Sequence, residues 1–277
     1  MNAGVIFVKI LLTMISRRTI LLLIPTKSGL IMEQLTPRQM QILKSIITEY
    51  TLTGEPVGSE ILDKKYNLGV SPATVRNEMI ALAKKGYLRK EHFSSGRIPT
   101  DSAFRFYITH IMKEKELSTA EEVSYKNDVW DFRNEIHQLL QHVTQILAKK
   151  TNLLAMATTN EGDVYYFGVN NLLTQKEFYN TEFSRFFFER LDEFSFWKNI
   201  SECFQQTEDD ILFILGDEYE KNELLEPSAS VFGEFGGEKI SGVLGVAGPK
   251  RMRYDMVVPS IKYCSQLIEQ IIRERGL

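Results

Sequence analysis

The 277-residue sequence has little that metal or redox chemistry would need. It carries two cysteines, Cys203 and Cys264, and four histidines, His92, His110, His137 and His142. Two cysteines so far apart form neither a disulfide framework nor a metal-ligand spacing, and read as free thiols in a reducing compartment. His137 and His142 stand five apart, on different faces of a helix. No metal is expected. A nucleophile elbow, a phosphate-binding loop and a His-Glu-x-x-His sequence are also missing. Gly233-Glu-Phe-Gly-Gly237 reads as a hairpin turn ahead of residues 239–246, not as a nucleotide fingerprint, because no helix start follows it. These absences argue against an enzyme and leave no cofactor to expect.

What is present is globular in character, with 43% hydrophobic and 25% charged residues, and long enough for two domains with real cores. The charge is uneven. Residues 33–115 carry a net +4, residues 116–277 a net −11, and the whole chain −3. A mildly basic segment on an acidic body suits contact with nucleic acid. Residues 1–31 stand apart. Residues 5–24 are strongly apolar but broken by Lys9, Arg17 and Arg18, which are costly in mid-membrane. No small-residue cleavage site suggests a signal peptide. The leader reads as a misassigned start, with Met32 as the true one, against the alternative of a membrane anchor.

The most informative stretch is Ser71-Pro-Ala-Thr-Val-Arg-Asn-Glu-Met79. Serine can cap a first turn, and proline suits the first helical position. Val75, Met79 and Leu82 then form one apolar stripe, and Gly86 after Lys84 and Lys85 is a stop. Ala73, Thr74, Arg76 and Asn77 point elsewhere near the helix start. Arginine can pair with guanine and asparagine with adenine in a DNA groove. Upstream, Thr36-Pro37-Arg38-Gln39 is a capped start to a helix lined by Met40, Ile42, Leu43, Ile46, Ile47 and Tyr50. Thr53-Gly54-Glu55-Pro56 ends it. A short helix from Ser59 carries Ile61, Leu62 and Tyr66, and Asn67-Leu68-Gly69-Val70 turns into the Ser71 helix. This is helix-turn-helix order. Tyr87-Leu88-Arg89-Lys90 reads as a strand, Ser94-Ser95-Gly96 as a turn with Arg97 at its tip, and Ile98 as the return strand, making a wing. The candidate DNA-binding residues are Ser71, Ala73, Thr74, Arg76 and Asn77 on the helix, and Arg89, Lys90, Ser95 and Arg97 on the hairpin, where cations meet phosphates.

Beyond the wing, residues 101–115 read as a helix with Phe104, Tyr107, Ile108 and Ile111 on one face. Residues 116–128 are polar and read as a linker. Residues 129–150 read as one long amphipathic helix with Phe132, Ile136, Leu139, Val143, Ile146 and Leu147 inward. Strands are expected at 153–158, 164–169, 211–215, 229–235 and 240–247, with helices at 182–192 and 254–273. The expected fold class is α+β, an N-terminal winged helix-turn-helix (residues 32–115) followed by a GAF-like effector and dimerisation domain (residues 129–277).

The run Gly54-Glu-Pro-Val-Gly-Ser59, Tyr66-Asn-Leu-Gly69, Ser71 to Met79, Gly86-Tyr-Leu88, Ser94-Ser-Gly-Arg-Ile-Pro-Thr100 and Arg105-Phe-Tyr107 resembles the heat-inducible transcription repressor family, HrcA. Gly168-Val-Asn-Asn-Leu-Leu-Thr-Gln-Lys-Glu-Phe178 and Gly242-Val-Leu-Gly-Val-Ala-Gly-Pro-Lys-Arg-Met-Arg-Tyr254 resemble two further segments of that family, in the expected order. The resemblance implies a cytoplasmic repressor of chaperone genes that binds double-stranded DNA at an inverted-repeat operator as a homodimer. Heat relieves it, and a GroEL-type chaperonin is an implied partner; no membrane is implied. The alternative is a winged-helix regulator answering to a small metabolite in the GAF-like body. One departure stands out. Family members have a long middle section with further strands and an inserted domain implicated in dimer contacts, whereas here residues 153–159 run almost directly into 164–168. The GAF-like domain is thus a reduced one. The helices at 101–115 and 129–150 are the expected dimer surfaces, with Phe132, Ile136 and Leu139 as the residues to test.

Overall fold

A computed structural model describes residues 35–90, 96–113, 115–131, 135–205, 209–216 and 225–275. The leader, Ser95 and Phe132 lie outside the described residues. Three helices open the described chain, α1 (Pro37–Thr53), α2 (Ser59–Lys65) and α3 (Pro72–Lys84). Thr36 starts α1 as a capping box, its hydroxyl accepting from the Gln39 amide while the Gln39 side chain accepts from the Thr36 amide. Two of the orphan amides of a helix start are satisfied in this way. Gly54 ends α1 in the left-handed region, at φ 66°. Ile42, Leu43, Ile46 and Ile47 are the deeply buried apolar residues of α1. In α2 only Leu62 is buried, and Ile61 faces solvent.

A two-stranded antiparallel hairpin follows, β1 (Leu88–Arg89) with β2 (Ile98–Pro99). A third segment joins it, because Val57 and Arg97 exchange both main-chain hydrogen bonds at 2.9 Å. Gly96 permits this approach: a Cβ there would lie 2.5 Å from the Val57 carbonyl. Arg97 therefore sits half-buried at the base of the hairpin, not at its tip as its place after Ser94-Ser95-Gly96 suggested. Helix α4 (Asp101–Phe106) continues into a π-helical turn (Tyr107–Ile111). We call the region through this turn the head and the remainder the body.

The stretch that reads as a linker is a helix. Ser118 and Glu121 form a second capping box at the start of α5 (Thr119–Trp130). Only Tyr125 and Val129 of α5 are buried, so its composition is that of a solvated helix with a narrow contact stripe. Tyr263 ties α5 down by donating its hydroxyl to the Glu122 carbonyl at 2.9 Å. The single helix expected over 129–150 is thus two, α5 and α6 (Ile136–Thr151).

The body is built on five antiparallel strands in the order β4-β3-β7-β6-β5. They are β3 (Leu154–Thr159), β4 (Val164–Phe167), β5 (Ile211–Leu215), β6 (Ser228–Gly236) and β7 (Ser241–Pro249). The expected turn at 233–237 belongs mostly to β6, which runs through Gly236. Alternation sends Ala155, Ala157, Val231, Phe235, Leu244 and Val246 to one face. There they pack with α6 and α10 (Tyr254–Glu274) in a core that is continuous with that of the head. Leu154, Met156, Phe232, Val243 and Ala247 go to the other face. That face is covered by α7 (Val169–Leu173), a 3-10 turn (Lys176–Tyr179), α8 (Thr181–Leu191) and α9 (Phe194–Gln205). Of these four, only α8 is among the elements expected from the sequence. Phe178, Phe183, Phe187 and Trp197 fill the space between the helices and the sheet.

Candidate nucleic-acid interface

Helix α3 has two unlike faces. Val75 and Leu82 are fully buried and Met79 nearly so, against α1 and α2. The opposite side presents Ala73, Arg76 and Asn77 to solvent, with Thr74 half-exposed. Ser71 does the capping that its position predicts: its hydroxyl accepts from the Thr74 amide at 3.2 Å and lies 3.0 Å from the Thr74 hydroxyl. The helix start is thus capped while Arg76 and Asn77 are left on the open face. Gln39 donates to Glu78 at 3.0 Å and links α3 to α1 from the other side.

The hairpin residues divide. Lys90 is exposed, and Arg97 is half-buried at the strand base. Arg89 is exposed in part but already holds a carboxylate, Glu226 of the body, at 3.0 Å. Glu226 also receives Lys250 at 3.0 Å. The Lys250 side chain is 8% exposed and pairs in addition with Asp101 of the head. A buried ammonium needs a carboxylate partner, because desolvating it alone is costly, and Asp101 supplies one beside Glu226.

A second cluster lies at the C-terminus of α1. Arg251 makes a two-pronged contact with Glu177, at 2.7 and 3.1 Å, and donates to Gln175 at 3.0 Å. It also reaches the Thr51 carbonyl at 3.4 Å. Lys176 donates to the Gly54 carbonyl and to Glu55, the latter at 2.6 Å. The bond from Lys176 holds the Glu55 carboxyl below its ordinary range. Two cations from the body thus sit at the carbonyl end of a head helix, where the helix dipole favours positive charge. Gly54 fits this packing, since a Cβ there would come 2.5 Å from Cε of Lys176.

Gly54-Glu55, Gln175-Lys176-Glu177 and Lys250-Arg251 fall within three separated motifs of the sequence, and sequence reasoning assigned no role to the last two. The structure brings all three together at the join of head and body. Pairing between residues 54 and 176, or 101 and 250, has no signal in local periodicity.

The comparisons agree with this architecture. Residues 32–95 match the LexA DNA binding domain, and residues 70–258 match the HrcA protein C terminal domain. The chain is 47% identical over 106 residues to the heat-inducible transcription repressor HrcA of Acetivibrio thermocellus, covering 38% of this chain and 30% of that relative. It is 48% identical over 94 residues to the same repressor of Clostridium perfringens strain 13, covering 34% and 28%. The matched stretch therefore spans under a third of the length of these relatives. A crystal structure of a hypothetical protein at 2.2 Å resolution shares the fold, with a TM-score of 0.66 and 18% identity over 87% of this chain and 98% of that one. Head and body define a mixed helix-and-sheet protein with a DNA-binding type of domain at its N-terminus. The HrcA model covers well over half of the sequence, and the chain belongs to the HrcA family.

Proposed function

We propose that this protein is a transcriptional repressor of heat-shock genes that reads an inverted-repeat operator as a homodimer and is relieved by heat. The head is a winged helix-turn-helix, with α3 as its reading helix and β1–β2 as its wing. The body is a reduced GAF-like domain that carries no catalysis, needs no cofactor and works in the cytoplasm. A GroEL-type chaperonin is its expected accessory partner. The observation that carries the reading is the two-faced α3, with a capped start and Ala73, Arg76 and Asn77 presented to solvent away from a buried stripe. The names of the curated relatives point the same way. Footprinting on the chaperone promoters of the source genome tests it: protection of an inverted repeat is expected, and uniform coating of all DNA would refute it.

Two results are expected at the DNA. Arg76→Ala or Asn77→Ala should lose about 1–3 kcal/mol of discrimination between operator and random sequence, the usual worth of a good two-pronged base contact. Equal losses on both DNAs in a binding titration would make these residues phosphate holders. At the hairpin, Glu226→Gln should free Arg89 for a phosphate, tightening binding and steepening the dependence of log affinity on log salt by about one unit. An unchanged slope would place Arg89 outside the DNA contact.

A further inference from the structure

Among the described residues, β4 is an open edge of the body sheet. Strand β4 is Val164-Tyr-Tyr-Phe167 and ends the sheet order, with no described strand beyond it. Exposed edge strands are usually blunted by charge, proline or a bulge. This one has none of these, and Val164, Tyr166 and Phe167 are 39%, 57% and 42% exposed. The hairpin closes with the Thr159 amide on the Asp163 carbonyl, which makes Ala157–Tyr165 and Ala155–Phe167 the hydrogen-bonded pairs of the β3–β4 ladder. Val164 and Tyr166 therefore turn their amide and carbonyl groups outward, away from the sheet.

We propose that β4 pairs antiparallel with β4 of a second copy of this chain, about a two-fold axis at Tyr165. The dimer then has one continuous sheet, twice the five strands of a single copy. In that register Val164 of each copy lies opposite Tyr166 of the other, and their outward main-chain groups are satisfied. The side chains on the same face form two aromatic–β-branched cross-strand pairs, a favoured combination. The Tyr165 residues meet on the opposite face as a non-hydrogen-bonded pair.

Charge selects a second copy over another partner. The strand itself is uncharged, and α6, which packs against β4, carries Gln138 and Gln141 exposed and His142 and Gln145 half-exposed. Such a surface does not repel its own image, and depletion of charge is what the centre of an interface shows. The ends are complementary under the two-fold. Glu161 and Asp163 stand at the start of the edge, and Ala148 lies against Gly168 at its finish. The basic last turn of α6, with exposed Lys149, is thus set at that finish. Antiparallel pairing brings the acidic start of one copy to the basic finish of the other. Of the residues on the helices that the sequence offered as dimer surfaces, Leu139 and Phe104 are buried within the chain, while Ile136, Tyr107, Ile108 and Ile111 are half-buried.

This inference deepens the repressor reading, because an inverted repeat needs two heads related by a two-fold axis. The test uses the full chain in light scattering over a range of concentrations, with circular dichroism as the check on fold. The wild type is expected to be a dimer. Tyr166→Lys is expected to be a folded monomer that keeps wild-type affinity for a half-site but binds the full operator at least about tenfold more weakly, because the second head is no longer tethered to the first. A second variant fixes the register: Tyr165→Cys should cross-link two chains under mild oxidation when the wild type, with its own Cys203 and Cys264, does not. A monomeric wild type, a dimeric Tyr166→Lys, or no cross-link in the Tyr165→Cys variant would overturn the pairing. A wild type that dimerises through β4 but protects no operator would sink the repressor reading alone.

Discussion

Replacing Arg251 by alanine is expected to cost about 3 kcal/mol of folding stability, the scale set by breaking a mostly buried ion pair. The guanidinium is 16% exposed and its partner Glu177 12%. Removing it leaves the Glu177 carboxylate out of water with its two-pronged partner gone, and it strips a donor from Gln175 and from the Thr51 carbonyl. The cost comes from the abandoned carboxylate rather than from the worth of the pair. The double variant Arg251→Met, Glu177→Met should therefore recover much of the loss, because an apolar pair of similar volume needs no desolvation. Urea denaturation of the two variants measures this. A loss below about 1 kcal/mol for the single variant would mean that water reaches Glu177 and that the join is solvated.

Phe232→Ala should be at least as damaging, at about 3–5 kcal/mol, the range for truncating a buried aromatic ring. Phe232 is fully buried, with the ring centroids of Trp197 and Phe196 at 6.2 and 6.4 Å. The sheet is shaped for it: a Cβ on Gly245 of the neighbouring strand would lie 2.3 Å from the Phe232 ring. Thermal unfolding reads the loss, and recovery of stability on adding a small aromatic such as benzene would show that the vacated space stays open. A fall of less than about 1 kcal/mol would mean that the α8–α9 layer collapses onto the sheet. The same ring bears on the metabolite alternative. In this chain the sheet face away from α6 and α10 is occupied by Phe178, Phe183, Phe187, Trp197 and Phe232. A ligand there would have to displace packed aromatics.

Much of the head is legible in the sequence because its signals are local. The Thr36 and Ser71 caps, the stop at Gly54 and the Val75–Met79–Leu82 stripe each act within a turn or two of the chain, and each forms as read. Several elements of the body also follow from periodicity, the strands around Leu154, Phe213, Val231 and Val246 and the two helices α6 and α10. Residues 116–128 mislead because α5 buries two side chains only, so a polar composition conceals a capped helix. Helix α9 is missing from the sequence-based expectation although Trp197, Ile200 and Phe204 repeat at helical spacing; they are its buried residues. Its neighbours in sequence put Arg97 at the tip of the hairpin, and the Val57 bridge moves it to the base.

By itself, then, the sequence determined where most of the helices and strands form, which face of α3 is buried and which carries Arg76 and Asn77. It also carried the family resemblance that the HrcA match bears out. Capping, hydrophobic period and turn chemistry operate over a few residues, and a single chain displays them in full. Only the tertiary structure decided that Arg89 is tied to Glu226, that Lys250 and Arg251 join the head to the body, and that β4 stands at an open edge. Those outcomes depend on strand order and on groups brought together from far along the chain, as Arg251 is with Glu177 and Thr51, 74 and 200 residues away. Partners at that separation are chosen by how the layers pack, and packing leaves no periodic trace along the chain.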